Sequence, residues 1–232
     1  MLKLNKHARW YNWLIYSILD PEIEDALKKY ATGRMLDVGC GVKPYLETAR
    51  PYVVEHVGLD QDVTIHDRSN VDLSGSACGI PADDHSFDTV LCTEVLEHIE
   101  DPGLALAEAC RVLKPGGYGI YTVPLFWHIH EEPRDFYRYT RFGLEHLFEK
   151  SGFEVVGIKA LSGFVVTFAQ ELVYFLLKFR RGGPINPLWW VVPPLSMVIQ
   201  GAAYLLRGLD HSVNFTIEYI AIVRKKRTAI VS

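Results

Sequence analysis

The chain has 232 residues, 49% of them apolar and 22% charged, with a net charge of −4. That length suits one large domain or two small ones and needs no staple to fold, and the composition excludes a disordered, collagenous or coiled-coil protein. An isoelectric point near 6.1 argues against a nucleic-acid binder working by bulk charge, while a mean hydropathy of +0.06 leaves an apolar surplus to be located.

In chain order, residues 8–19 and 22–31 are predicted as two helices separated at Asp20 and Pro21, the second closed by Gly33. Lys3, Lys6 and Arg9 precede an apolar stretch. Tyr16 and Ser17 interrupt that stretch and no small-residue cleavage site follows, so no signal peptide is read. Short apolar runs at 35–38, 53–59, 89–92 and 118–123 are strand-like, and 153–160 and 215–223 alternate like strands. Asp101 and Pro102 open a helix with Leu104, Ala107, Cys110 and Leu113 on one face, stopped by Pro115, Gly116 and Gly117. Thr140 opens another, with Phe142, Leu144, Leu147 and Phe148 apolar and Gly152 at its end. Strands alternating with helices imply a parallel sheet covered on both faces. Cys40, Cys78, Cys92 and Cys110 form no C-x-x-C pair and are read as reduced thiols of a cytoplasmic protein.

The first chemical motif is LDVGCG at 36–41, a strand running into a glycine-rich turn, where open parallel sheets bind ligands. The second is VGLD at 57–60, a strand ending in a carboxylate 19 residues after Gly41, placed to accept the hydroxyls of a ribose. The same spacing fits a nicotinamide dinucleotide, but the third glycine of G-x-G-x-x-G is replaced by Pro44. The pattern suits one nucleoside better than two.

LDVGCG, GLD, IPADDHSFDTVLCTEVLEHIEDP and RVLKPGGYGIYTVP together resemble the class I S-adenosylmethionine-dependent methyltransferases, nearest to their type 11 branch, over about residues 34–160. The resemblance implies a Rossmann-like seven-stranded, mostly parallel sheet with a C-terminal antiparallel strand, and S-adenosyl-L-methionine as cofactor. It implies that Asp37, Gly39 and Gly41 line the methionine and ribose portion and that Asp60 holds the ribose hydroxyls. Asp72 and Leu73 would meet the adenine, although a glycine- and serine-rich spacer at 74–79 departs from the pattern. Thr93 and Glu94 would close over the methionine end.

Residues 124–140, PLFWHIHEEPRDFYRYT, follow the fifth strand, and a similar H-x-x-P-x-D-[FY]-[FY]-R-[FY]-[TS] segment occurs in that branch. His130 is the candidate general base for a hydroxyl acceptor, with His128, Arg134, Tyr137 and Arg138 as candidate acceptor contacts. The bland alternative is structural pairing of Arg134 or Arg138 with Asp135 or Glu131. His128 and His130, with Glu131 and Glu132, have the H-x-H spacing of a metal pair but lack a third clear ligand, and no metal is expected. Glu97 and His98 are read as helix packing, with a cofactor or acceptor contact as the alternative.

The surplus lies in residues 161–213, where 182–206 carries no charge over 25 positions, long enough to span a bilayer. Pro184, Pro187, Pro193 and Pro194 argue against one straight spanning helix. Lys178, Arg180, Arg181, Arg207 and the run 224–227 lie near its ends, with Trp189 and Trp190 between. A lid, a dimer interface and an interfacial membrane element all fit this segment.

The expected organisation is one methyltransferase domain over 1–232, with N-terminal helices at 1–33, a cofactor-binding core at 34–160, the apolar helical insert at 161–213 and a final strand with basic tail at 214–232. The expected activity is methyl transfer to a small or lipid-linked hydroxylated acceptor, with a saccharide as one candidate. The alternatives are a non-catalytic cofactor-binding scaffold and a nicotinamide-dependent oxidoreductase. The expected setting is cytoplasmic, peripheral on the inner face of a membrane, with a homodimer as a further option and no nucleic-acid partner.

Overall fold

The computed structural model describes residues 9–61, 69–210 and 212–227. Lys3, Lys6, the start of the first predicted helix and the end of the basic tail lie outside the described residues. A short 3-10 turn, Trp10–Asn12, leads into α1 (Trp13–Tyr30), which is a single helix with Pro21 inside it. This corrects the expected break. An interior proline costs a helix about 3 kcal/mol, but Leu14, Leu19, Ile23, Ala26 and Leu27 are all buried along α1. Each fully buried large aliphatic side chain contributes about 1.5–3 kcal/mol, so packing on both sides of Pro21 outweighs the lost bond.

The chain divides into two compact units. One, the sheet unit, comprises Ile23–Pro124, Ile129–Lys159 and Tyr219–Ser232; the other, the helical unit, comprises Met1–Glu22, Leu125–His128 and Ala160–Glu218.

The sheet has strands β1 (Arg34–Val38), β2 (Glu55–Asp60), β3 (Leu73–Ser74), β4 (Phe87–Thr93), β5 (Leu113–Pro124), β6 (Phe153–Ala160) and β7 (Glu218–Lys225). Their order is β3-β2-β1-β4-β5-β7-β6, mostly parallel with antiparallel C-terminal strands. The inner strands β1 and β4 are buried along nearly their whole length, as strands covered on both faces must be. Val38 stands opposite Leu59 of β2 and Cys92 of β4, so three carboxyl ends meet at one edge. The chain direction reverses between β1 and β4, which is where such sheets bind ligands.

Two helices of this unit start as expected. Asp101 accepts from the Leu104 N–H at 3.0 Å to cap α3 (Pro102–Val112), and Thr140 accepts from the Gly143 N–H at 3.1 Å to cap α4 (Arg141–Lys150). Their packed faces need correction. In α3 the buried residues are Pro102, Ala105, Leu106, Ala109 and Val112, with Leu104 turned to solvent; in α4 they are Leu144 and Phe148, and Phe142 is 72% exposed. Phe142 instead lies under the Arg141 guanidinium, 5.3 Å from its ring centre. Strand β5 also starts earlier than expected, taking in Pro115, Gly116 and Gly117. Its Tyr121 is fully buried against Phe148 and Phe153, with ring centres 5.0 and 6.5 Å away.

All four cysteines are unpaired, with Cys40 and Cys92 buried. Burial pushes every one of these thiols up, Cys40 to about 12 with help from the neighbouring Asp37 and Asp60.

The helical unit is built on α5 (Phe164–Leu177) and α6 (Leu188–Leu206). Leu14, Val166 and Ala203 form its small apolar cluster, with Trp13, Ile18 and Tyr204 packed around it. Of the four prolines read against one straight helix over 182–206, Pro184 and Pro187 precede α6, whereas Pro193 and Pro194 do not break it. Both lie in its first two turns, and the inward stripe Val192, Ser196, Gln200 and Ala203 continues past them and holds the helix in register.

Candidate cofactor and acceptor site

The turn after β1 is fixed by backbone geometry. Gly39 and Gly41 both have positive φ, +69° and +47°, and a Cβ at Gly39 would run into the Val95 side chain. The turn therefore lies against the chain leaving β4. A Cβ at Gly41 would meet nothing within 4 Å, so the space above this residue is open. Asp60, ending β2, accepts from the Gly41 N–H through Oδ2 at 3.0 Å and from the Gln61 N–H through Oδ1 at 2.7 Å. These bonds set the carboxylate at the carboxyl edge and leave each oxygen further lone pairs.

The other residues assigned to the cofactor divide into two groups. Asp37 is buried and accepts a 2.8 Å hydrogen bond from His56 Nε2, both side chains being 4% exposed. Burial raises the Asp37 pKa, opposed by His56 and Lys43. Asp72 accepts from the Gly58 N–H at 2.6 Å and from Lys43 Nζ at 2.5 Å through Oδ2. Partial burial disfavours its charge, but those two donors outweigh the effect and hold the carboxyl below its usual range. Leu73 opens β3 opposite Leu59, and Thr93 ends β4 opposite Thr122. Sequence reasoning missed Lys43 and His56. The available signal for Lys43 was a cation inside a glycine turn; its φ of +52° and near-complete burial were not legible.

Beyond β4 the chemistry concentrates. Glu94 has a φ of +54° and a buried Oε1 without a hydrogen-bond partner. Burial pushes its carboxyl up to about 7. Glu97 is 0% exposed and neither carboxylate oxygen has a hydrogen-bond partner. Burial, then the neighbouring Glu94, raises it well above the ordinary range. The packing role expected for Glu97 does not account for an unsatisfied buried acid, which costs stability wherever it is kept.

Residues 129–139 pack over this edge. The Phe136 and Tyr137 N–H groups donate to the Glu97 carbonyl at 2.9 and 3.2 Å, and Arg134 Nη1 donates to Gln61 Oε1 at 3.0 Å. The segment is thereby tied to the ends of both β2 and β4. Arg138 grips Asp135 in a fork, at 2.6 and 2.8 Å, and Asp135 also accepts from the His130 N–H at 2.9 Å. Partial burial opposes ionisation of Asp135, but Arg138 and that N–H hold its carboxyl down to about 2. Tyr137 donates its hydroxyl to the Glu100 carbonyl at 2.9 Å.

The two imidazoles of the site have different partners. His98 Nδ1 lies 2.7 Å from the Arg134 carbonyl. A carbonyl only accepts, so Nδ1 carries the proton and the lone pair of neutral His98 is on Nε2. That atom is 3.7 Å from Glu97 Oε1 and 3.9 Å from Glu131 Oε2. His130 stands edge-on to His98, ring centres 4.7 Å apart, with its Nδ1 3.4 Å from Arg138 Nη2. One ligand atom each from Glu97, His98 and His130 lies within 4.8 Å of the others, a spacing that could also hold a cation. His128 belongs to the helical unit, where its Nδ1 lies 3.7 Å from Glu171 and its ring 4.4 Å from that of Tyr174. The H-x-H pair therefore has separate partners.

This sheet order, with a glycine turn and a carboxylate at the carboxyl edge, defines a Rossmann-like fold. Residues 36–121 match a family model described as a methyltransferase domain. A ubiquinone biosynthesis O-methyltransferase of Alkalilimnicola ehrlichii is 28% identical over 136 residues, covering 50% of this chain and 49% of that one. A demethylmenaquinone methyltransferase of Renibacterium salmoninarum is 30% identical over 123 residues, covering 50% and 48%. The chain thus spans about half the length of these curated relatives. Among solved structures, an S-adenosylmethionine-dependent methyltransferase of Mesorhizobium loti superposes with a TM-score of 0.56 at 15% identity, covering 93% of this chain and 98% of that one.

The cofactor of this domain family is S-adenosyl-L-methionine, and the residues present fit it. The open space at Gly41 admits a close ligand, Asp60 offers an anchored acceptor for a vicinal diol, and Glu94 and the buried Glu97 are acids that a cationic group would draw back to the charged form.

Proposed function

We propose that the chain is an S-adenosylmethionine-dependent methyltransferase acting on a hydroxyl of a small or lipid-linked acceptor. The observation that carries this reading is the group formed by Glu94, Glu97 and His98 where β4 leaves the sheet. Glu97 is kept fully buried there with neither carboxylate oxygen hydrogen-bonded, and Glu94 has one buried oxygen, Oε1, without a partner, beside an imidazole whose lone pair in the neutral form is on Nε2. A fold gains nothing in stability from such a group, and a proton-transfer site needs one. The relative named for O-methylation supports oxygen as the acceptor atom.

When bound, S-adenosylmethionine supplies an electrophilic methyl carried on a sulfonium. Asp60 would hold its ribose hydroxyls, Gly39 and Gly41 its near approach to the backbone, and Glu94 its cationic end. The chain's own chemistry is proton removal and positioning. His98 Nε2 takes the acceptor's hydroxyl proton, and Glu97, 3.7 Å from that nitrogen, stabilises the imidazolium. This assigns to His98 the base role expected of His130. His130 Nδ1 lies 3.4 Å from both Arg138 Nη2 and Asp135 Oδ2, so this ring is engaged with the pair that positions the segment. Arg138, Asp135 and Tyr137 position the segment that closes over the acceptor, and holding the reacting atoms at about 3–3.5 Å supplies much of the rate.

Calorimetry with S-adenosylhomocysteine and, separately, NAD tests the class. Binding of the homocysteine product alone is expected, and binding of NAD alone would overturn it. On an acceptor found by screening phenols, quinols and saccharides with radiolabelled cofactor, His98→Gln should lower kcat about 100-fold or more. It should leave S-adenosylhomocysteine affinity within about twofold, since no cofactor contact is assigned to this side chain. Full turnover by His98→Gln would refute the assignment of the base.

A further inference from the structure

The helical unit is built with its polarity reversed. Four polar side chains, Thr167 and Gln170 of α5 and Ser196 and Gln200 of α6, are 0% exposed. Gln170 Nε2 donates to the Tyr11 carbonyl at 2.8 Å, and Thr167 Oγ1 donates to the Phe215 carbonyl at 2.6 Å. Gln200 Oε1 accepts from the Leu14 N–H at 3.1 Å. The outward faces are apolar. On α5 and the 3-10 turn that follows it, Phe164, Phe168, Leu172, Phe175 and Phe179 recur at intervals of three and four and are 41–53% exposed. On α6, Leu188, Val191, Leu195, Val198 and Leu205 follow the same period, with Val198 68% and Leu205 80% exposed. A helix of a water-exposed unit turns its apolar stripe inward and its charges outward. Here α6 has no charged residue and α5 only Glu171.

Length and charge identify what covers these faces. Leu188–Leu209 is long and apolar enough to cross a membrane, yet only 22% of its most apolar window is buried, so it is not a core helix of this unit. At 14 residues, however, α5 is about 21 Å long and too short to cross a hydrocarbon core of about 30 Å. The pair therefore suits the plane of an interface, not a hairpin spanning it. Both ends carry cations: Lys178, Arg180 and Arg181 between the helices and Arg207 after α6. None of these four is in an ion pair among the described residues. Arg180 stacks 3.9 Å from the ring centre of Trp189, and Trp190 is 66% exposed. Indoles and cations bordering an apolar face match the headgroup level of a bilayer, and the absence of acidic groups from that face favours anionic lipid.

We propose that α5 and α6 form a monotopic element that seats the helical unit in an anionic lipid surface, apolar stripes toward the acyl chains and cations among the headgroups. Thr167, Gln170 and Gln200 then act as hydrogen-bond links between segments whose surroundings are apolar.

Flotation of the full chain with vesicles of equal phosphatidylcholine and phosphatidylglycerol tests this. The protein should float, and pure phosphatidylcholine should retain at least tenfold less. The Trp190 emission should shift to the blue and be quenched by brominated acyl chains. Phe175→Glu with Val198→Glu, both already exposed, should abolish flotation while leaving S-adenosylhomocysteine binding unchanged, which shows the variant folded. Lys178→Ala with Arg181→Ala should weaken partition to the anionic vesicles about 30-fold. Wild-type protein left in the supernatant with both vesicle types overturns the proposal. So does a stable dimer that ignores vesicles and dissociates in the Phe175→Glu/Val198→Glu variant, since the covering surface is then a second copy.

Discussion

Replacing Glu94 by glutamine should make the protein less active throughout and more stable only above a defined pH. Glu94 is pushed up to about 7 from an ordinary 4.5 by burial. The folded protein therefore binds its proton more tightly than the unfolded chain does. Between pH 4.5 and 7 the folded state holds more protons, so stability falls as pH rises. The neutral carboxyl contributes fully below pH 4.5, and that contribution is lost as pH passes through about 7. At 1.36 kcal/mol per pH unit, the difference between 4.5 and 7 amounts to about 3 kcal/mol at pH 8. Glutamine has nearly the same volume and no charge to desolvate. Glu94→Gln should thus gain about 3 kcal/mol in urea unfolding at pH 8 and nothing measurable at pH 4.5, with turnover on any identified acceptor falling at both. Urea titrations of wild type and variant at four pH values between 4.5 and 8 provide the measurement. A stability difference that did not grow with pH, or a variant less stable at pH 8, would show that the acid is satisfied in the folded protein and would refute the reasoning.

Three further outcomes are expected. Asp60→Ala removes the anchored acceptor for two hydroxyls, at about 1.5–3 kcal/mol per charge-assisted bond, and should weaken S-adenosylhomocysteine binding at least 100-fold by calorimetry. Gly39→Ala forces a Cβ into Val95 at a positive φ and should both weaken that binding and lower the melting temperature. Phe148→Ala, emptying a fully buried site against Tyr121 and Phe153, should cost about 3–5 kcal/mol in urea unfolding without changing the pH dependence of Glu94.

What the sequence reveals of this protein follows from how local each determinant is. LDVGCG and VGLD are readable because a strand, a glycine turn and a terminal acid occupy a few consecutive positions, and the structure sets Gly41 against Asp60 as that pattern requires. The caps Asp101 and Thr140 are equally local. The inward face of α3 was not readable, since its apolar residues occur all round the helix and periodicity cannot choose Leu106 over Leu104. Nor was the continuity of α1 and α6 through their prolines, which rests on packing between residues far apart in the chain, such as Leu14 with Ala203. Glu97 and His98 stood in plain view, but their significance lies in burial and in the Arg134 carbonyl 36 residues on, and neither is written in their neighbours.

The state of the four thiols has a practical consequence. With Cys40 held near 12 and Cys78, Cys92 and Cys110 also raised, scarcely any thiolate exists at neutral pH, and thiolate is the species that maleimides and disulfide reagents attack. Cys40 and Cys92, buried as well as raised, should therefore be the slowest to label, and the half-exposed Cys78 and Cys110 the faster. With Cys78 and Cys110 replaced, a single reporter cysteine at an exposed position such as Val198 or Leu205 would stand out against the two buried thiols. Spin labels or environment-sensitive dyes could then follow one helix face at a time.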